Sequence, residues 1–145
     1  MNKETDPRMH TAEHILNGTM VKMFNKGRAF SAHIENKKSK CDYKGFERNL
    51  NEQEVGELEN RVNDTISRNL DVKESFMNQE EAAREFNLSR LPEGTEGDIR
   101  IIKVGDYDAC PCVGKHVANT SEIGKVKVIS SSFENNILRV RFKLQ

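Results

Sequence analysis

His10 and His14 stand four residues apart near the start of the chain, and Cys112 and His116 repeat that interval near its end. Residues at i and i+4 of a helix project from one face a turn apart, so such a pair can aim two ring nitrogens at a single ion. Taken alone, a His-x-x-x-His pair is equally two surface histidines or two core histidines with ordinary partners. The second pair strengthens the claim: two such pairs at opposite ends of one domain are the usual assembly of a zinc site, and they require both ends of the chain to meet. Three of the four histidines and one of the three cysteines fall in these motifs, leaving little of the soft-ligand inventory for other uses. The expectation is one Zn2+ per chain, held by His10, His14, Cys112 and His116.

At 145 residues the chain has the length of one ordinary domain, read here as 1–145. Apolar periodicity along most of that length argues against wholesale disorder. No apolar run approaches the roughly 20 residues that cross a bilayer. The opening Met-Asn-Lys-Glu-Thr-Asp-Pro has no apolar leader core, so the expectation is a cytoplasmic protein with no membrane partner. Cys110 and Cys112 are too close for a stabilising mutual disulfide, which fits a reduced compartment. Basic and acidic residues number 23 each, so any nucleic-acid contact has to come from local patches rather than a global field.

Asp6-Pro7 reads as an N-cap and first helical position, followed by Met9, Ala12, Ile15, Leu16, Met23 and Phe24 at helical spacing, with Gly27 as the stop. That helix carries His10 and His14. Residues 29–43 read as a hairpin turning near Asn36. Asn51 to Glu54 forms a capping box, and Val55, Leu58, Val62, Ile66 and Leu70 make one apolar stripe behind it. A strand over 71–77, a helix opened by Asn78 and ending near Phe86, a loop over 87–97, and strands over 99–104, 125–131 and 137–144 complete the pass. Pro111 and Gly114 imply a constrained turn leading into a helical or looped Cys112/His116 pair. This order argues for α+β rather than a doubly wound parallel sheet.

With all four ligands bound the coordination is closed and structural; catalysis needs a ligand to leave, a fifth position, or direct coordination of substrate. The pattern leaves that choice open. Cys110 is a spare thiol near the motif, and Asp106 and Asp108 are carboxylates placed to orient a liganding imidazole. Ser31 and His33 share a strand face and are candidates for substrate contact or proton handling. Lys37, Lys38 and Lys40 near the hairpin turn, and Arg139, Arg141 and Lys143 at strand spacing, are candidates for phosphate contacts; ordinary solvated charge explains either cluster as well.

His10-Thr-Ala-Glu-His14 together with Cys112-Val-Gly-Lys-His116-Val-Ala-Asn-Thr-Ser-Glu-Ile-Gly124 resembles the editing domain of alanyl-tRNA synthetase and its freestanding AlaX-type relatives. Lys40-Cys-Asp-Tyr43 sits where that family has Arg-Phe-Asp-Phe, and Glu59, Val62-Asn63, Ile66 and Asn69 fit its central helix. The resemblance implies a curved antiparallel sheet packed with helices. It also implies an ATP-independent hydrolase that removes serine or glycine wrongly attached to alanine tRNA, working at His10 and His14 with Ser31 and His33 as pocket residues. Beginning near the histidine motif and ending after the last strand, the chain is expected to lack a synthetase catalytic body. Where the family reads Cys-Gly-Gly-Thr-His, this sequence has Val113 and Lys115; the lysine brings a cation that can bind a tRNA phosphate or repel a cationic substrate. A noncatalytic zinc-binding module that binds tRNA or protein is the alternative. The threonyl-tRNA synthetase editing module shares the ligand pattern but fits the Asn119 to Gly124 continuation less well.

Overall fold

The computed structural model describes residues 6–92 and 94–145; residues 1–5, which carry most of the leader reading, and residue 93, within the expected 87–97 loop, lie outside the described residues. The first helix, α1, spans Pro7–Phe24, with the Asp6 carboxylate accepting the Arg8 amide at 2.9 Å and proline at its first turn. It stops earlier than Gly27 suggested. Asn25 adopts the left-handed conformation, φ 55°, and donates its amide to the Val21 carbonyl, a cap that asparagine tolerates nearly as well as glycine.

The expected hairpin is β1, Ser31–His33, against β2, Ser39–Tyr43, with Ala32 opposite Cys41. Helix α2, Glu52–Ser67, starts at the Asn51 capping box, in which Asn51 accepts the Glu54 amide and Glu54 accepts that of Asn51. Then come β3, Val72–Met77; α3, Gln79–Glu85; β4, Ile99–Val104; β5, Asp108–Pro111; a 3-10 turn at Thr120–Glu122; β6, Val126–Glu134; and β7, Ile137–Leu144. The strands form two antiparallel sheets, ordered β1-β2-β7-β6 and β3-β4-β5, so the α+β class expected from the sequence is what the chain adopts.

Strand β5 and the 3-10 turn were not anticipated. Asp108-Ala-Cys-Pro111 is short and ends in proline, and pairing with β4 is what makes it a strand. The Cys112/His116 pair lies in the loop beyond it, so of the two arrangements left open the looped one holds.

Alternation along β2 and β7 buries Ser39, Cys41 and Tyr43, and Leu138, Val140 and Phe142, while Lys40, Asp42, Arg139 and Arg141 face outward. Those inner residues meet Leu58, Val62 and Ile66 of α2 and Met9, Ile15 and Leu16 of α1 in the main core. A smaller cluster of Ala82, Ile99 and Ile101 lies under α3. Among the described residues, no helix is long and apolar enough to cross a membrane.

Helix α2 is fastened to the sheet by Asn63, whose amide group donates to the Val126 carbonyl at 2.9 Å and accepts its amide at 2.8 Å, mimicking a strand neighbour. Asn63→Ala strands both backbone groups; the expected loss is roughly 2 to 4 kcal/mol, read from urea unfolding of the two proteins.

Candidate metal centre

The first turns of α1 present His10 and His14, and the loop after β5 brings Cys112 and His116 over them. Ligand atoms of all four lie within 4.8 Å of one another. Cys112 Sγ is 3.3 Å from His10 Nε2 and 3.4 Å from His116 Nε2. The His10 and His116 rings stack with centroids 4.3 Å apart, and His14 stands edge-on to His116 at 4.4 Å.

Close approach is what makes this arrangement possible. A Cβ built on Gly114 would overlap His10 Cε1 and lie 2.5 Å from Nδ1, so only glycine lets the loop cross the ring. Arg100 on β4 holds the loop by donating to the carbonyls of Cys112 at 3.1 Å and Gly114 at 2.7 Å, and Glu74 steadies the guanidinium. The Thr11 hydroxyl accepts the Val117 amide and lies 2.9 Å from His116 Nδ1. With Nε2 turned to the cluster, Nδ1 carries the proton and donates to Thr11.

Asp108 Oδ2 sits 3.9 Å from His14 Nδ1, while Oδ1 takes the Arg28 guanidinium at 2.6 Å. Gly18 admits this carboxylate: a Cβ there would lie 2.9 Å from Oδ1. His14 Nδ1 and Asp108 Oδ2 are buried without a hydrogen-bond partner. Of the two aspartates expected near a ligand, Asp108 is there; Asp106 is 88% exposed and faces Arg68 instead.

Burial, foremost, lowers the pKa of His10, His14 and His116, the last to about 3, so all three are neutral imidazoles with a lone pair to give. Burial likewise pushes the Cys112 thiol up. An all-soft donor set of three imidazoles and a thiol, crossed by a glycine, fits a metal ion of the zinc type.

The cluster opens onto a cavity of about 590 Å³ whose wall includes His10, Glu13, His14, Arg28, Phe30, Arg90 and Cys112. Glu13 is 3% exposed; burial raises its carboxyl pKa against the pull of Arg90 and Arg28. Arg90 reaches Glu13 at 3.5 Å and the Ala29 carbonyl at 3.3 Å. Sequence reasoning missed Arg28, Arg90 and Arg100, which carry no local signal, and Glu13, whose place between the two histidines was one. Cys110 also lines the cavity, its thiol raised to about 11 by burial.

Ser31 and His33 are not brought into this wall. Both are exposed on β1, and His33 pairs with Glu35 at 2.8 Å. His33, Lys38, Lys40 and Arg141 instead border a separate depression of about 310 Å³, with Lys37 exposed beside it in sequence. Arg139 is engaged by Asp42 at 2.7 and 2.9 Å, and Lys115 is exposed between two residues of the ligand loop.

Residues 99–140, from β4 through the first half of β7 and including Cys112 and His116, match the family described as threonyl and alanyl tRNA synthetase second additional domain. Alanine–tRNA ligases are similar over most of the chain: that of Fervidobacterium nodosum is 29% identical over 133 residues, covering 91% of this chain and 15% of the ligase. The Staphylothermus marinus ligase is 30% identical over 140 residues, covering 93% and 15%. This chain is related to the alanyl-tRNA synthetase editing domain. It spans about 15% of the length of these ligases, so what the whole enzymes do does not pass to it directly.

Gly114→Ala displaces His10, and zinc affinity measured by competition with a chromophoric chelator falls roughly 10- to 100-fold. The three histidines, whose folded pKa values lie below the free value of 6.5, bind protons better in the unfolded chain. Their contribution to stability is therefore complete above pH 6.5 and lost as pH falls towards the folded values. The metal-free protein should lose about 1.4 kcal/mol per pH unit for each proton taken up below that point, measured by urea unfolding between pH 7 and 4.

Proposed function

We propose that residues 1–145 act as one editing-type domain, a zinc-dependent hydrolase that deacylates alanine tRNA mischarged with serine or glycine, in the cytoplasm and without ATP. The observation that carries this reading is the convergence of His10, His14, Cys112 and His116 beside a cavity that three of them line, in a chain related to the alanyl-tRNA synthetase editing domain. When bound, the ion supplies Lewis-acid chemistry for an ester carbonyl or an attacking water.

The chain's own residues do the rest. Thr11 fixes the His116 ring, Asp108 stands 3.9 Å from the His14 ring, Arg100 holds the ligand loop, and Glu13 places a carboxyl in the cavity wall. The departures from the family motif spare the steric requirement, because the glycine beneath which His10 lies is Gly114, which is present. Val113 is 64% exposed and Lys115 is exposed as well. Ser31 and His33 lie on the strand that follows the cavity wall at Phe30, so a pocket role for them is as neighbours of the cavity rather than its lining.

For the tRNA partner, the outward face of the four-stranded sheet supplies cations. Lys40 stands directly across from Arg141, an unfavourable pairing of like charges that a phosphate between them relieves; Lys37 and Lys38 are near it in sequence, Arg139 shares the face but is paired with Asp42, and Lys115 is a further candidate contact on the ligand loop rather than the sheet.

Hydrolysis of serine-charged alanine tRNA by the zinc-loaded protein should exceed that of a Cys112→Ala, His116→Ala double variant by about 100-fold or more, the scale of losing a catalytic metal. Stoichiometric zinc without ester cleavage would instead favour the noncatalytic binding module.

A further inference from the structure

Phe30 is 38% exposed, one of four large hydrophobic residues that lie open to solvent among the described residues. Phe76 and Ile129 do not line the cavity that holds His10, His14 and Cys112, whereas Phe30 and Val113 both do. Phe30 is the aromatic member of that pair, and two further features set it apart. The Lys44 ammonium lies 4.6 Å from its ring centroid. The backbone leading into it is held: its own amide donates to the Asp42 carbonyl at 3.0 Å, the preceding Ala29 amide donates to Asn17 Oδ1 at 2.8 Å, and the Ala29 carbonyl accepts Arg90. A ring carried on backbone held in this way gives a partner a platform whose main chain has little freedom left to lose.

The charge around it selects what that partner is. Lys26, Arg28 and Arg90 stand in the cavity wall; Arg28 is paired with Asp108 and Arg90 reaches the buried Glu13, so three cations face two carboxylates. A wall with this balance, joined by Lys44 over the ring, suits a ligand that combines a flat aromatic group with phosphates. Single-stranded nucleic acid has that composition, and its bases stack on aromatic side chains whatever their identity.

Resting on the reading of the protein as one that acts on RNA, we propose that Phe30 is the stacking platform for the unpaired 3′-terminal base of that RNA, with Lys26, Lys44 and Arg90 contacting the flanking phosphates. An ester on the terminal ribose is one sugar away from its base, and the ligand cluster and Phe30 wall the same cavity of about 590 Å³. The ring thereby positions the nucleoside whose ester is presented to the metal ligands.

The chain contains no tryptophan, so Phe30→Trp introduces a single indole at the platform. The probes are an RNA hairpin with a four-nucleotide unpaired 3′ end, labelled with a fluorophore at its 5′ end, and the same hairpin made blunt. Fluorescence anisotropy reports binding of either RNA, and indole emission reports stacking. The expected result is binding of the overhanging hairpin with quenching of the Phe30→Trp indole. Phe30→Ala and Phe30→Leu should weaken that complex roughly 5- to 150-fold while leaving the blunt hairpin's affinity unchanged; the leucine retains bulk and controls for misfolding. Binding of the overhang with no quenching and no loss in either variant would overturn the platform and leave the RNA reading standing. No anisotropy change with the unaltered protein would overturn both. Loss of ester hydrolysis is a separate readout, so failure of the deacylase reading does not masquerade as failure of the platform.

Discussion

Everything in this structure turns on the burial of α1 on nearly all sides. A helix in that position cannot be apolar only towards one face, and α1 is not: Thr11, Glu13, His14, Asn17 and Thr19 are all buried along with Met9, Ala12, Ile15, Leu16 and Met20. Each buried polar group costs free energy unless it finds a partner. Thr11 takes the Val117 amide, Glu13 faces Arg90, Asn17 takes the Ala29 amide, and Thr19 meets the Tyr107 hydroxyl. Each partner comes from a different connecting segment. The polar positions of one helix therefore organise the loops around it, and the loop carrying Cys112 and His116 is one of them.

The electrostatics of the centre follow from the same burial. Three imidazoles held neutral and a thiol held protonated form a site with no charge of its own, flanked by two ion pairs, Arg28 with Asp108 and Arg90 with Glu13. His10, His14 and His116 would offer a divalent cation lone pairs with no added proton to displace, and Cys112 would have to give up its thiol proton to join them. The unpartnered His14 Nδ1 and Asp108 Oδ2, 3.9 Å apart, are the groups that a small ring rotation would join once Nε2 is engaged.

How far the sequence could be read depended on whether a feature is local. The Asn51 capping box and the stripe from Val55 to Ile66 are set within a few residues, and α2 begins and packs accordingly. The two ligand pairs were legible because their chemistry is rare and their spacing repeats. Strand alternation rightly put Ser31 and His33 on one face, but alternation does not say which face is covered, and theirs is open. The end of α1 moved from Gly27 to Asn25 because asparagine also accepts a left-handed conformation. Strand β5 and the arginines at the site depend on partners remote in the chain: Arg100 serves a loop twelve residues further on, and Arg28, in the connection after α1, an aspartate on β5.

Whether a four-ligand centre is structural or catalytic was left open by its residue types, and the direction in which it opens bears on that choice. A structural site is enclosed by its own ligands and needs no approach route. Here His10, His14 and Cys112 face the cavity, whereas His116 is absent from its wall and is tied back by Thr11. Three of the four donors line the cavity, the side from which a ligand could approach them. Cations and an aromatic ring stand on that same wall, beside the three donors.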